Sequence, residues 1–296
     1  MHLKTLFLSS MVSGTTLSLA LLGSPTLAAC VDYQAQVNQA MQSKDLEKLE
    51  PLLVSVADCP KDYLEGVAQM AAAQADSLMQ QGHLALAEEW LQSAPTKIWA
   101  TLVAHGNIAA LRKQWQTASK FYNQALDLMA DPQATLDAPL QAKIQEVFQL
   151  ASEAQVLAGN LDASISSSGE ARGVMRENIR GFEAKKRLIP VQFGISQSQL
   201  SKKGKRVAQR LIAYLNRYDF IEVTLIGHTS PESQVCACVS ERRAQTLKAF
   251  LQRGGVRAMI RVGSKGNREP LELSKRANYS LIEIEKLNRR VELLVE

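Results

Sequence analysis

The stretch "IEVTLIGHTSPESQVCACVSERRAQTLKAFLQR", residues 221–253, contains a strand, a polar loop and a helix in thirty-three residues. "IEVTLIG" (221–227) alternates branched apolar residues and ends in glycine, the mark of a strand with one buried face. Ser240 is placed to cap a helix from Glu241 to Gln252 whose inward residues are Ala244, Leu247 and Leu251. Between them lie His228, Cys236 and Cys238, and the helix opens with Arg242 and Arg243, residue types that serve metal, redox or charged-ligand sites.

Outward from this unit the alternation continues. "RLIPVQF" (187–193) is a strand candidate, with Pro190 at an edge or strand start. A helix is expected from Leu200 to Tyr218, because Val207, Leu211 and Leu215 repeat every four residues and leave a basic opposite face. "RAMIRVG" (257–263) and "RRVELLV" (289–295) complete the order β-α-β-α-β, a long segment, then β.

The first 29 residues read as an export signal: a short start with one lysine, an apolar run from Leu6 to Leu22, then "SPTLAAC". "LAAC" also resembles a bacterial lipobox, which would make Cys30 an acylated N-terminus with outer-membrane anchoring. The alternative is a disulfide between Cys30 and Cys59, whose flanking residues 33–43 and 45–57 read as an antiparallel helical hairpin. The two exclude each other, since acylation consumes the Cys30 sulfur.

From residue 30 to about 165 the chain is rich in Ala, Leu, Gln and Glu and reads as paired helices. Gly106, Ala118, Tyr122 and Ala125 fall at the small and aromatic positions of a tetratricopeptide repeat, which these segments resemble. Gly82, Ala87, Leu91 and Ala94 fit a preceding unit, and Gly159 a partial third in which Ser164 replaces alanine. Such stacks bury small residues between helices and leave a concave face, so the implied role is binding an unidentified protein. Ala87 to Ala118 spans 31 residues, shorter than the ~34 of a regular repeat. An irregular helical bundle without true repeats is the alternative. Residues 166–186 turn polar and are expected to be a helical or flexible connector.

Charge separates the halves. Residues 30–180 hold 11 Lys/Arg against 18 Asp/Glu, and residues 181–296 hold 22 against 11. A basic half ordinarily suggests nucleic acid. In an exported chain an anionic wall polymer or membrane surface is the expected partner, and nucleic acid is not.

From about Ile189 to Glu296 the sequence resembles the OmpA-like peptidoglycan-associated domain. The resemblance is carried by "PVQF" with "SQSQLSKKGK", then "IGHT", "SERRAQ", "VGSKGNREP" and "NRRVELLV", in the family's order. It implies an α/β sandwich that binds peptidoglycan non-covalently through stem-peptide diaminopimelate, in the periplasm or at the outer membrane. Arg243 matches the ligand arginine, whose planar fork suits a carboxylate. Arg290 matches a second arginine near the site, with Arg289 beside it, and Thr229 lies in the ligand loop.

Two positions depart from the pattern. Ser230 stands where the family places aspartate, and Cys236 where it places asparagine. Losing a charged hydrogen-bond partner costs about 1.5–3 kcal/mol. Glu232 is a candidate replacement carboxylate. The alternative is therefore an interaction scaffold whose OmpA-like domain has lost or altered wall binding.

A third reading makes Cys236 and Cys238 a thiol or metal centre, but with His228 they offer three ligands at an uncommon spacing; a disulfide at Cys236 or Cys238 is the more natural expectation. His228 by itself reads as structural. No Gly-x-Ser-x-Gly elbow, His-Glu-x-x-His helix or phosphate loop is present, so no catalytic set, cofactor or metal is expected.

Overall fold

The computed structural model describes residues 27–193, 198–231 and 238–295. The part of the expected export signal before residue 27 lies outside them, and its last residues, 27–29, belong to the first helix. Seven helices come first: α1 (Leu27–Ser43), α2 (Leu46–Ser55), α3 (Lys61–Gln80), α4 (Leu84–Gln92), α5 (Trp99–Leu111), α6 (Trp115–Ala130) and α7 (Gln141–Ala158). No helix among the described residues is long and apolar enough to cross a membrane.

α1 and α2 form the anticipated hairpin, and Cys30 is bonded to Cys59. That bridge occupies the Cys30 sulfur, so lipidation at Cys30 does not apply to this structure. α5 and α6 pack as their small residues require. A Cβ on Gly106 would stand 2.5 Å from the Tyr122 ring, and Ala118 and Ala125 are fully buried beneath it. The expected third pair does not form. α7 ends at Gly159, which takes a left-handed φ of +73°, and the chain after it is not helical. Ser164, expected inside a helix, is buried and donates to Gln155 Oε1.

Residues 166–186 likewise differ from a helical or flexible connector. Only a short 3-10 turn, Gly173–Met175, is regular. Ile165, Val174, Met175 and Ile179 are buried in the main core, where the segment packs against α6 and α7 and is bonded by Tyr214 and Tyr218 of the helix over residues 202–218. Asn123 of α6 accepts the Val174 N–H at 3.0 Å, and Asp127 accepts that of Gly173 at 2.9 Å. A Cβ on Gly173 would overlap Asn123 Oδ1 at 2.0 Å, so the close approach needs glycine. This segment joins the two halves by packing.

The C-terminal half is a four-stranded mixed sheet, ordered β1 (Lys186–Ile189), β4 (Val291–Val295), β2 (Glu222–His228), β3 (Met259–Gly266). β2 and β3 pair parallel, while β4 runs antiparallel to its neighbours β1 and β2. α8 (Lys202–Tyr218) and α9 (Cys238–Arg253) supply the crossovers, and α10 (Leu281–Asn288) precedes β4. Val207, Leu211, Leu215, Ala244, Leu247 and Leu251 meet Val223, Leu225, Val291 and Leu293 in one core. The expected strand at 187–193 is cut short because Pro190 has no N–H for the ladder. Ser240 lies inside α9 and is not its cap. α10 lies within the long segment between the third and fourth expected strands. Its signal was present in "SLIE", where Ser280 and Glu283 form a reciprocal capping box.

Candidate ligand site at the strand ends

Ligands of open α/β sheets sit beyond the carboxyl ends of parallel strands, where adjacent connections diverge. Here that place is the end of β2 and β3, roofed by the first turns of α9. A Cβ on Gly227 would lie 2.0 Å from the Ser240 carbonyl, so glycine lets α9 come down onto β2. Ser240 Oγ meets Ser264 Oγ at 2.6 Å, tying α9 to β3. The Thr229 N–H donates to the Gly266 carbonyl at 2.8 Å, which fixes the backbone leaving β2.

Thr229 and Ser230 are both buried in this turn. Ser230 supplies no charge there, and Glu232, the candidate replacement carboxylate, lies outside the described residues. Arg243 is 7% exposed, with its guanidinium carbon 5.4 Å from the centre of the Phe193 ring. Burial lowers the Arg243 pKa, and the nearby charge of Arg289 lowers it further. A carboxylate arriving at this corner relieves both effects.

The second arginine is used differently from the expectation for Arg290. Its Nε and Nη2 both donate to Glu292 Oε1, at 2.9 and 2.7 Å, and Nη2 also reaches the Glu269 carbonyl at 3.3 Å. Arg290 Nη1 is buried without a hydrogen-bond partner among the described residues. His228 Nε2 stands 3.3 Å from Glu292 Oε2, a charge-pair distance without hydrogen-bond geometry, and Lys186 lies 3.6 Å from that same oxygen. Burial would raise the Glu292 pKa, but His228 and Arg290 outweigh it and bring it to about 2. Glu292 alternates with the core residues Val291 and Leu293, so this cluster faces away from α8 and α9. Arg290 is turned toward that cluster, and Arg289 is the cation whose charge bears on Arg243. The doublet "RR" did not disclose which arginine takes which role; the two-residue alternation with Glu292 was the available signal.

Cys238, in the first turn of α9, is bonded in a disulfide, and Cys236 lies outside the described residues. A sulfur in a disulfide is not the thiolate that zinc takes.

No protein-family model matches this chain, and no curated protein matches it. Among solved structures, it is similar over 38% of its length to the OmpA-like domain of FopA1 from Francisella tularensis, covering 73% of that chain at 19% identity and a TM-score of 0.30. It is also similar over 53% of its length to a MotB-like protein from Desulfovibrio vulgaris, covering 99% of that chain at 17% identity and a TM-score of 0.34. Scores of this size carry no argument about function.

Proposed function

We propose that the chain is a non-enzymatic cell-envelope protein of the periplasm or outer membrane, whose C-terminal domain holds peptidoglycan non-covalently. Arg243 takes the stem-peptide diaminopimelate carboxylate, and Arg289 adds positive charge beside it. The observation that supports this most is the position of Arg243: a buried guanidinium at the ends of two parallel strands, with a second cation next to it. A planar guanidinium at such a position suits a carboxylate, which it bonds through two parallel N–H groups. The motifs from "IGHT" to "NRRVELLV" support the same reading.

Ser230 favours a second reading. Without a carboxylate at that position, nothing on the described side of the pocket pairs with the ligand ammonium, and the domain then serves as an interaction scaffold. Sedimentation with purified sacculi separates the two. Wild type is expected in the pellet, and Arg243→Ala in the supernatant. If both remain in the supernatant the tethering function is lost, and if both sediment equally Arg243 is not the ligand arginine.

The helical half offers its outer surface to a protein partner. Its face around Trp115 and Glu153 is not available for that, because residues 271–286 of the same chain already cover it.

A further inference from the structure

A cleft of about 640 Å³ opens between the turn that follows α7 and the outer face of α8. Neither half makes it alone. The helical half contributes Gln116, Gly159 and Asn160, and the C-terminal half contributes Lys203, Arg206 and Arg210. The spacing of those three cations, three and then four residues apart, sets them along one side of a single helix.

Several features mark this as more than a solvated helix face. α8 carries six cations and no acid, whereas surface helices usually mix the signs. Lys202, Lys203 and Lys205 crowd its first turn, where the helix dipole favours acids. Arg210 meets Asp162 at 3.4 Å, but Lys203 and Arg206 form no ion pair among the described residues.

The cations continue toward the strand-end site. Burial lowers the Lys286 pKa, and the charges of Lys203 and Arg289 lower it further, so all three lie within electrostatic reach. Arg289 in turn acts on Arg243. Basic residues therefore follow one another from the cleft, over the end of α10, to Arg243, with Arg289 also paired to Glu285 at 3.0 Å and Glu283 opposing the two cations at Lys286.

We propose that this cleft is a second anion subsite, which takes a further carboxylate of the same wall polymer whose first carboxylate reaches Arg243. The proposal rests on the wall-binding reading for the identity of the polymer. A bilayer surface does not fit, because the cations line a concave wall between two domains and a flat sheet of headgroups cannot enter it. A flexible stem peptide can.

The test is a lysine-acetylation footprint of the full chain with and without soluble muropeptides bearing free stem carboxylates. Lys203 is expected to be protected, and exposed Lys48 is the unprotected control. Lys203→Gln/Arg206→Gln is expected to weaken sacculus binding about three- to tenfold, with less sensitivity to salt than wild type. Unchanged Lys203 reactivity in a chain that binds through Arg243 overturns the second subsite and leaves the first. If wild type binds no muropeptide, the wall reading fails. A glutamate oligomer is then the probe for the cleft: protection of Lys203 retains an anion subsite, and its absence removes it.

Discussion

Tyr279 donates its phenolic hydrogen to Glu153 at 2.5 Å, and this bond joins the C-terminal half to the middle of α7. The Ser274 N–H reaches the other oxygen of Glu153 at 3.0 Å, and Ser274 Oγ reaches it at 3.3 Å. Around this carboxyl Trp115 stacks on Tyr279, and its Nε1 donates to Glu283 at 2.8 Å. Gln149 bonds the Glu272 carbonyl. The two halves therefore meet through a buried polar seam, and rigid docking is what creates the cleft beside α8.

Tyr279→Phe removes one donor from a fully buried carboxyl and is expected to destabilise the chain by about 1–3 kcal/mol. Urea unfolding followed by far-ultraviolet circular dichroism of wild type and variant measures it. An unchanged midpoint would show that Glu153 is satisfied without the tyrosine.

Glu153 also gives the seam a pH dependence. Burial raises its pKa above the ordinary 4.5, and the bonds from Tyr279, Ser274 and Gln149 only partly oppose this. A raised folded pKa means the contribution is fully present below the unfolded pKa and is lost as pH rises through the folded value. Stability should therefore increase as pH falls from neutrality toward 4.5, and Glu153→Gln should flatten that slope. Thermal melts across the pH range of wild type and variant give the comparison.

Glu292 behaves in the opposite sense. Its pKa falls from 4.5 to about 2, so its contribution is present above 4.5 and lost as pH falls toward 2. Glu292→Gln leaves the Arg290 guanidinium buried without its anion and is expected to cost roughly 3–5 kcal/mol. Chemical denaturation at neutral pH tests the magnitude, and acid titration tests the window.

Gly227→Ala sets a methyl group against the Ser240 carbonyl, where no flexible side chain can yield. A cost of about 1–3 kcal/mol is expected as α9 lifts from β2. Because Arg243 moves with α9, sacculus binding should fall with it. Retained binding in a destabilised variant would separate Arg243 from the placement of this helix.

The Cys30–Cys59 bridge closes a loop with a sequence separation of 29. Reduction is expected to lower stability by about 3–4 kcal/mol on chain entropy. Melts with and without reductant measure it. Mass spectrometry of the N-terminal peptide identifies the bridge by a mass loss of two hydrogens, in place of an acyl addition at Cys30.

Much of the local structure was legible in the residues alone. Apolar periodicity located the strands and crossover helices of the C-terminal half. The Gly106 and Tyr122 spacing described a real contact, and the hairpin before Cys59 placed two sulfurs together. These features arise from neighbours in sequence, and steric fit and backbone preference act on them before the chain is folded. Glu153, Arg290 and Lys203 belong to the tertiary structure. In the sequence each is an ordinary charged residue of a helix or strand end. One becomes the acceptor of an interdomain seam, one the partner of a buried glutamate, and one the wall of a cleft. The first two roles depend on which groups, many of them more than a hundred residues away, exclude water from the charge, the third on which wall comes to face it, and only the packed structure determines that.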